Sequence, residues 1–302
     1  MKYTARQTAT LLEVVMEMNR GISKQGAKKF IGTSSIMVDG KAVKNHPMLM
    51  VEQGQVLDFI KVVKVERNVT PPTRSNPISI HFEDEYLIVA QKTAGVLSCK
   101  DKNQVSATST HTILEQFIAD RDGKKLRLWP VHRLDREVEG LIIFAKSEDF
   151  QTTMKDVWST VTKKYLALVE GTPETAKGVI ESWLKDDENQ RVRVYNTNVE
   201  GSKFAKTEFQ ILERVKQYTL LEITLHTGRK NQIRAHLSAI GCPIVGDRKY
   251  GAEGTVRRQI RLAAYKIEFK HPISEKMLKL EYKPSLSFFN PSTNEDENYR
   301  IV

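Results

Sequence analysis

The spacing of apolar positions divides the chain into segments of distinct period. Leu11, Val14, Val15 and Met18 recur at helical spacing, and Thr10-Leu11-Leu12-Glu13 has the form of a capping box. A helix is therefore predicted from Thr10 until Asn19-Arg20-Gly21 stops it. Ser23 is placed to cap a second helix that ends at Gly32. Ile36-Met37-Val38 and Lys41-Ala42-Val43 flank Asp39-Gly40, a pair suited to a two-residue hairpin, and a strand from Gln55 to Val63 follows Gly54. From Glu66 to Asn76 the periodicity is lost around Pro71-Pro72, which reads as a linker.

Beyond it, Ile78–Phe82 and Tyr86–Val89 read as strands around an Asp84-Glu85 turn. Thr112-Ile113-Leu114-Glu115 has capping-box form and predicts a helix to about Ala119. Leu126, Leu128 and Trp129 suggest a strand closed by Pro130, and Leu141–Ala145 a second one after Gly140. Phe150, Met154, Val157, Trp158 and Val161 form a helical stripe that belongs in a core. Leu166–Val169 reads as a strand with Tyr165 at its entry and Gly171 at its end. Residues 172–206 are polar, with strand-like scraps at Val192 and Val194. Lys206–Leu225 holds two alternating segments, an expected antiparallel pair. A further helix follows, with Ile233, Leu237 and Ile240 inward and Gly241 as its stop, then a closing strand through Arg261-Leu262-Ala263-Ala264. The expected organisation is a small module over 1–64, a linker over 65–77, a large α+β domain over 78–290 and a flexible tail over 291–302.

With 302 residues, 40% hydrophobic and 28% charged, the chain can bury one large core and a small second one. Its formal charge of +10 is a footprint of proteins that meet a polyanion. In the first 64 residues, Lys24, Lys28 and Lys29 on one helix and Lys41 in the hairpin are suited to track phosphates. Cys99 and Cys242 lie far apart without metal-ligand spacing, which argues against a disulfide framework or a zinc site. No apolar run approaches membrane-spanning length and no signal-peptide core opens the chain, so the cytoplasm is the expected compartment.

Two stretches concentrate chemistry. Val131-His132-Arg133-Leu134-Asp135-Arg136-Glu137 is a charged turn between two strands, and loops on rigid strands display reactive groups. Flanking arginines favour an ionised Asp135, which makes it the candidate reactive group; a solvated surface turn is the bland alternative. In Thr227-Gly228-Arg229-Lys230-Asn231-Gln232-Ile233-Arg234, Arg229, Gln232 and Arg234 gather where a helix begins, which favours an anion.

His-Arg-Leu-Asp-Arg followed by Gly-Leu-Ile-Ile-Phe-Ala-Lys resembles the central motif of the RluA-type RNA pseudouridine synthases. Lys163-Lys164-Tyr165-Leu166-Ala167 resembles the family's second motif, and the block from Thr227 to His236-Leu237, with Pro243-Ile244-Val245-Gly246-Asp247, a third and specific one. Residues 1–64 resemble the small RNA-binding domain typified by ribosomal protein S-four. The resemblance implies a central mixed, mostly antiparallel sheet with flanking helices, and an isomerase that needs no cofactor or metal. It makes Asp135 the nucleophile, pairs Arg234 with it, and places Tyr165 against the target base. His132, Arg133, Lys163, Arg229 and Gln232, with Lys24, Lys28, Lys29 and Lys41, become RNA contacts. A monomer acting on ribosomal rather than transfer RNA is expected. Thr93, Val138-Glu139 and Ala263 depart from the family pattern, where proline, Thr-Ser and histidine are usual, with Glu139 adding negative charge near the site. They keep an alternative open: an RNA-binding or ribosome-assembly factor of weakened activity on the same scaffold.

Overall fold

The computed structural model describes residues 2–19, 21–43, 46–61, 78–100, 108–215, 217–253 and 259–289; the expected linker over 65–77 and tail over 291–302 lie outside them. In the first segment, β1 (Lys2–Thr4), β2 (Ala9–Thr10), α1 (Leu11–Met18), α2 (Lys24–Thr33), β3 (Ser34–Val38), β4 (Lys41–Ala42), β5 (Met50–Val51) and β6 (Val56–Lys61) follow in order. The strands β1, β6, β3 and β4 form one sheet, and β2 pairs β5. The capping box forms as the sequence predicts, Thr10 Oγ1 accepting from the Glu13 N–H while Glu13 accepts from the Thr10 N–H. Asp39 and Gly40 take φ of 49° and 76°, so β3 and β4 close through the expected two-residue turn. Leu11, Val14, Val15, Ala27, Ile31, Leu57 and Phe59 share a core of their own.

The remainder is built on β7 (Ser79–Glu83), β8 (Leu87–Lys92), α3 (Thr110–Asp122), β9 (Trp129–Pro130), β10 (Glu139–Ala145), α4 (Glu148–Asp156), β11 (Thr162–Glu170), β12 (Lys177–Asp186), β13 (Val192–Tyr195), β14 (Lys203–Val215), β15 (Tyr218–Leu225), α5 (Gln232–Ala239), β16 (Leu262–Lys270), β17 (Met277–Glu281) and α6 (Leu286–Phe289). These strands form one 11-stranded sheet whose main path runs β13-β12-β14-β15-β11-β16-β10-β8-β7. Among the described residues only β10 and β16 run parallel, so the sheet is mixed and mostly antiparallel, with helices against both faces.

Alternation along the central strands assigns each face a core. Leu141, Ile143, Leu168, Ile267 and Phe269 pack with Phe150 and Met154 of α4. On the other face Ile142 and Phe144 meet Leu114 and Ile118 of α3, while Tyr165, Ala167, Leu221 and Ile223 meet Ile233 and Leu237 of α5. At the parallel pair, a Cβ on Gly140 would fall 2.3 Å from the Ala264 carbonyl oxygen, so only glycine permits this approach.

Several local expectations are corrected. The N-cap of α3 is Ser109, with Thr112 as its capping-box partner; Glu115 instead accepts from the Leu128 N–H. The strand before the Asp135 turn is shorter than expected: β9 holds only Trp129 and Pro130, paired with Ala145 and Phe144, so Pro130 does close it while Leu126 and Leu128 lie outside it. Tyr165 lies inside β11 because pairing begins at Thr162. The helical stripe breaks at Val157, and Val161 leads into β11. Ile240 caps α5 and is exposed, since the helix stops at Ala239. Residues 172–206 hold β12, β13 and the start of β14, a long antiparallel arrangement.

Candidate active site

Asp135 lies in the turn between β9 and β10, and Lys92, Gly95 and Ser98 hold that turn in place. The Lys92 ammonium, fully buried at the end of β8, donates to the carbonyls of Thr93 (3.0 Å), Arg136 (2.9 Å) and Val138 (2.7 Å). The Gly95 N–H donates to the Arg136 carbonyl at 2.8 Å, and the Arg136 Nε returns a bond to the Gly95 carbonyl at 3.0 Å. Ser98 brackets the loop, its hydroxyl donating to the Leu134 carbonyl and accepting from the Leu134 N–H. Burial pulls the Lys92 pKa down to about 7, opposed by the charges of Glu137, Asp135 and Glu139. Three N–H donors on an ammonium match the three carbonyls.

The Asp135 carboxylate opens into a cleft with Val138, Leu225, Ile233 and Leu262 on its apolar walls and Arg133, Tyr165 and Arg229 among its polar ones. Its charge partner is Arg234, whose Nη1 stands 3.6 Å from Oδ2. This guanidinium is buried and committed first to Asp247, through Nε–Oδ2 at 2.6 Å and Nη2–Oδ1 at 2.9 Å. Nη1, left over from that fork, faces both Asp135 and Glu137, the latter at 3.4 Å. Arg234 thus reaches Asp135 as an ion pair rather than a hydrogen bond. The flanking arginines on which the sequence argument leaned make no ion pair with Asp135: Arg136 binds Gly95, and Arg133 is exposed at the cleft.

Burial raises the Asp135 pKa above the ordinary carboxylate value, and Glu137 adds to the rise; Arg234 and Lys92 oppose it. Asn231, at the mouth of α5, is the remaining polar neighbour. Its amide is oriented with nitrogen toward Asp135, donating to Oδ2 at 2.7 Å, and oxygen accepting from the Tyr250 hydroxyl at 3.0 Å; the reverse orientation sets acceptor against acceptor. Tyr165 is buried beside Asp135, and burial with that neighbouring charge pushes its phenol pKa up, so it stays neutral.

The fold brings Asp135, Arg133, Tyr165, Arg229, Gln232 and Arg234 to one cleft. Gln232 lines it with a saturated amide: Oε1 accepts from Thr227 Oγ1 and the Arg229 N–H, while Nε2 donates to the Lys206 carbonyl and Thr207 Oγ1. It shapes the loop rather than offering a free contact, a correction to its expected role. His132 and Lys163 are not among the residues lining the cleft. His132 Nε2 accepts from the Ile143 N–H and its ring stacks on Trp158 at 4.8 Å, with the Lys163 ammonium over the same indole at 5.2 Å. Burial lowers the His132 pKa to about 3, so its ring is neutral, and its contacts are with the fold around Trp158. Lys24, Lys28, Lys29 and Lys41 are all exposed. Glu139 is buried and bonded to Gln259 Nε2 at 3.4 Å; the carboxylate acting on Asp135 is Glu137.

Lys92, Asn231, Tyr250 and Asp247 carried no expected role at the site. A lysine ending an otherwise apolar strand and a Gly-Asp pair after a basic helix were the available signals. Chemically, the site offers one carboxylate and one neutral phenol in a small cleft with apolar walls, rimmed by two exposed arginines.

The family model for RNA pseudouridylate synthase matches residues 86–239. Ribosomal large subunit pseudouridine synthase D of Nitrosomonas europaea is 33% identical, over 74% of this chain and 67% of its own. The uncharacterised RNA pseudouridine synthase YhcT of Bacillus subtilis is 28% identical, over 91% of this chain and 90% of its own. Among solved structures, human RNA pseudouridylate synthase domain containing 4 is similar in fold, with a TM-score of 0.57 at 24% identity over 69% of this chain and 89% of its own.

Proposed function

Since the chain belongs to the RNA pseudouridylate synthase family and is an isomerase acting on RNA, we propose that Asp135 is its reacting carboxylate and ribosomal RNA its substrate. The observation that carries the first part is the Asp135 side chain itself, in a cleft with apolar walls, beside a buried tyrosine and 3.6 Å from a buried arginine. The reaction exchanges the bond between ribose and a base nitrogen for one between ribose and a ring carbon. A carboxylate that attacks sugar or base divides it into two easier steps. Tyr165 and the apolar walls retain the detached base while it turns, a proximity effect. A uridine in structured RNA must leave its stack to enter, and Arg133 and Arg229 are placed on the rim to hold the displaced backbone. The ribosomal assignment draws on relatives named as ribosomal large subunit synthases.

The test is direct: purified protein is incubated with ribosomal and transfer RNA transcripts, and pseudouridine is mapped in each. Modification at defined ribosomal positions is expected. Modification of transfer RNA alone would overturn the substrate, and none in either would favour a binding factor. The pH profile supplies a second check. The reactive form of Asp135 is the anion and its pKa is raised, so turnover should fall with decreasing pH while ordinary carboxylates are still ionised. An acid limb at or below the usual aspartate value of about 3.9 would contradict this.

Residues 1–64 form, in this reading, a separate RNA-binding module of the S-four type, with Lys24, Lys28, Lys29 and Lys41 on phosphates. Their own core and the exposure of these lysines support it. A tethered module raises affinity by effective concentration. Removing residues 1–64 should weaken binding and reduce the slope of log K against log salt by up to about 3 to 4, nearly one per lost phosphate contact. An unchanged slope would show that these lysines touch no phosphate.

A further inference from the structure

The structure assigns to Asn231 the role of positioning residue for Asp135, through a relay that begins on β13. The inference rests on Asp135 being the reacting carboxylate. Four observations carry it. The Asn231 Nδ2 to Asp135 Oδ2 distance of 2.7 Å makes the amide a closer partner of that carboxylate than Arg234 at 3.6 Å. The amide's other end is fixed, since Oδ1 accepts from the Tyr250 hydroxyl at 3.0 Å. That hydroxyl accepts in turn from the Val192 N–H at 3.1 Å, which leaves its own proton for the Asn231 oxygen. Finally, Asn231 is the N-cap of α5 in the left-handed region, at φ 49°, and makes no side-chain capping bond. An asparagine at a helix start ordinarily caps it; here the amide is turned away to the carboxylate. Asparagine is also among the few side-chain-bearing residues that tolerate this backbone region.

A hydrogen bond donated to a carboxylate stabilises the anion. Asn231 therefore acts in the same sense as Arg234 and Lys92, against burial and the charge of Glu137, with neutral Tyr165 on the remaining side and Asp247 neutralising most of Arg234. It also holds the carboxylate in place, its nitrogen lying 2.7 Å from Oδ2 and 3.3 Å from Oδ1. Arg234 cannot do this alone, since its third nitrogen is divided between two carboxylates. The relay ends on the strand where the β12–β13 turn closes. That turn is held to the short segment around Tyr250 by the Lys249 ammonium on the Gln190 carbonyl and by the Arg191 guanidinium over the Tyr250 ring.

The test is Asn231→Gly, which keeps the left-handed backbone and removes only the amide. Turnover of substrate RNA should fall about 10- to 100-fold, the usual penalty for losing a group that orients a reacting one, with KM within about two-fold. The acid limb of the kcat profile should move to higher pH, because the anion has lost a donor; a merely structural role would leave it in place. Tyr250→Phe, which frees the Asn231 oxygen but keeps the ring under Arg234, should move the limb the same way by less. Asn231→Asp, an isostere that cannot donate and adds a charge, should be worse than the glycine variant. If Asp135→Asn is inactive while Asn231→Gly keeps wild-type kcat and acid limb, this inference fails and the catalytic reading stands. If Asp135→Asn itself turns over, both fail.

Discussion

Asp135→Asn is expected to reduce isomerisation about 10⁴-fold or more while RNA affinity stays within a few-fold. Removing a nucleophile deletes the step that divides the reaction, and such losses reach this size where the residue acts within a unit. Affinity should survive because phosphate contacts dominate binding to nucleic acid, and Asp135 makes none. A second outcome separates lost chemistry from lost structure. Burial and Glu137 already disfavour the Asp135 anion, so a neutral amide of the same shape relieves strain in the folded state. Thermal unfolding of Asp135→Asn should thus occur at or above the wild-type temperature. Measured turnover within ten-fold of wild type would remove Asp135 from the mechanism. A lowered unfolding temperature would show that the carboxylate supports the fold.

Lys92→Met is the change expected to damage the architecture of the site most. The ammonium is fully buried and spans from β8 to the Asp135 turn, donating to three carbonyls, two of which lie 44 and 46 residues away. Methionine fills much the same space but takes the ammonium donor from the Thr93 and Val138 carbonyls, leaves the Arg136 carbonyl only the Gly95 N–H, and removes the charge that offsets the nearby carboxylates. Leaving a buried acceptor without its donor costs about 1–3 kcal/mol, so two such losses come to about 2–6 kcal/mol. That is a large part of the 5–15 kcal/mol that typically holds a domain together. Urea unfolding followed by circular dichroism should show an unfolding free energy lower by that amount. Turnover should fall as well, since the Gly95 and Ser98 contacts alone must then hold the turn. A stability within about 1 kcal/mol of wild type, the worth of one ordinary hydrogen bond, would mean that Lys92 is dispensable to the loop.

Features decided within a few residues were legible in advance. The Thr10–Glu13 capping box, the Asp39-Gly40 turn and the strand after Asp135 each rest on a local rule of spacing or backbone preference, and each forms. Even where a local rule was right, its exact register was not. Ser109 outcompetes Thr112 as the cap of α3, and strand pairing carries β11 back to Thr162, so that Tyr165 is enclosed. The β12–β13 arrangement escaped notice because its outward positions, such as Lys177, Glu181 and Lys185, are charged. Its inward ones include Ser182, whose burial depends on a bond to His236 of α5.

The residues themselves determined that a carboxylate would be displayed on a turn leading into an apolar strand, and that a basic helix start would lie elsewhere in the chain. Only the tertiary structure decided who meets whom. Arg234 turns mainly to Asp247, Lys92 ties down the turn, and Asn231 takes the place at Asp135 that the neighbouring arginines were expected to fill. The reason is physical. Backbone preference and periodicity act over a few residues and are written in order along the chain, whereas a buried charge is matched by whatever donor the packing of distant elements brings within about 3 Å.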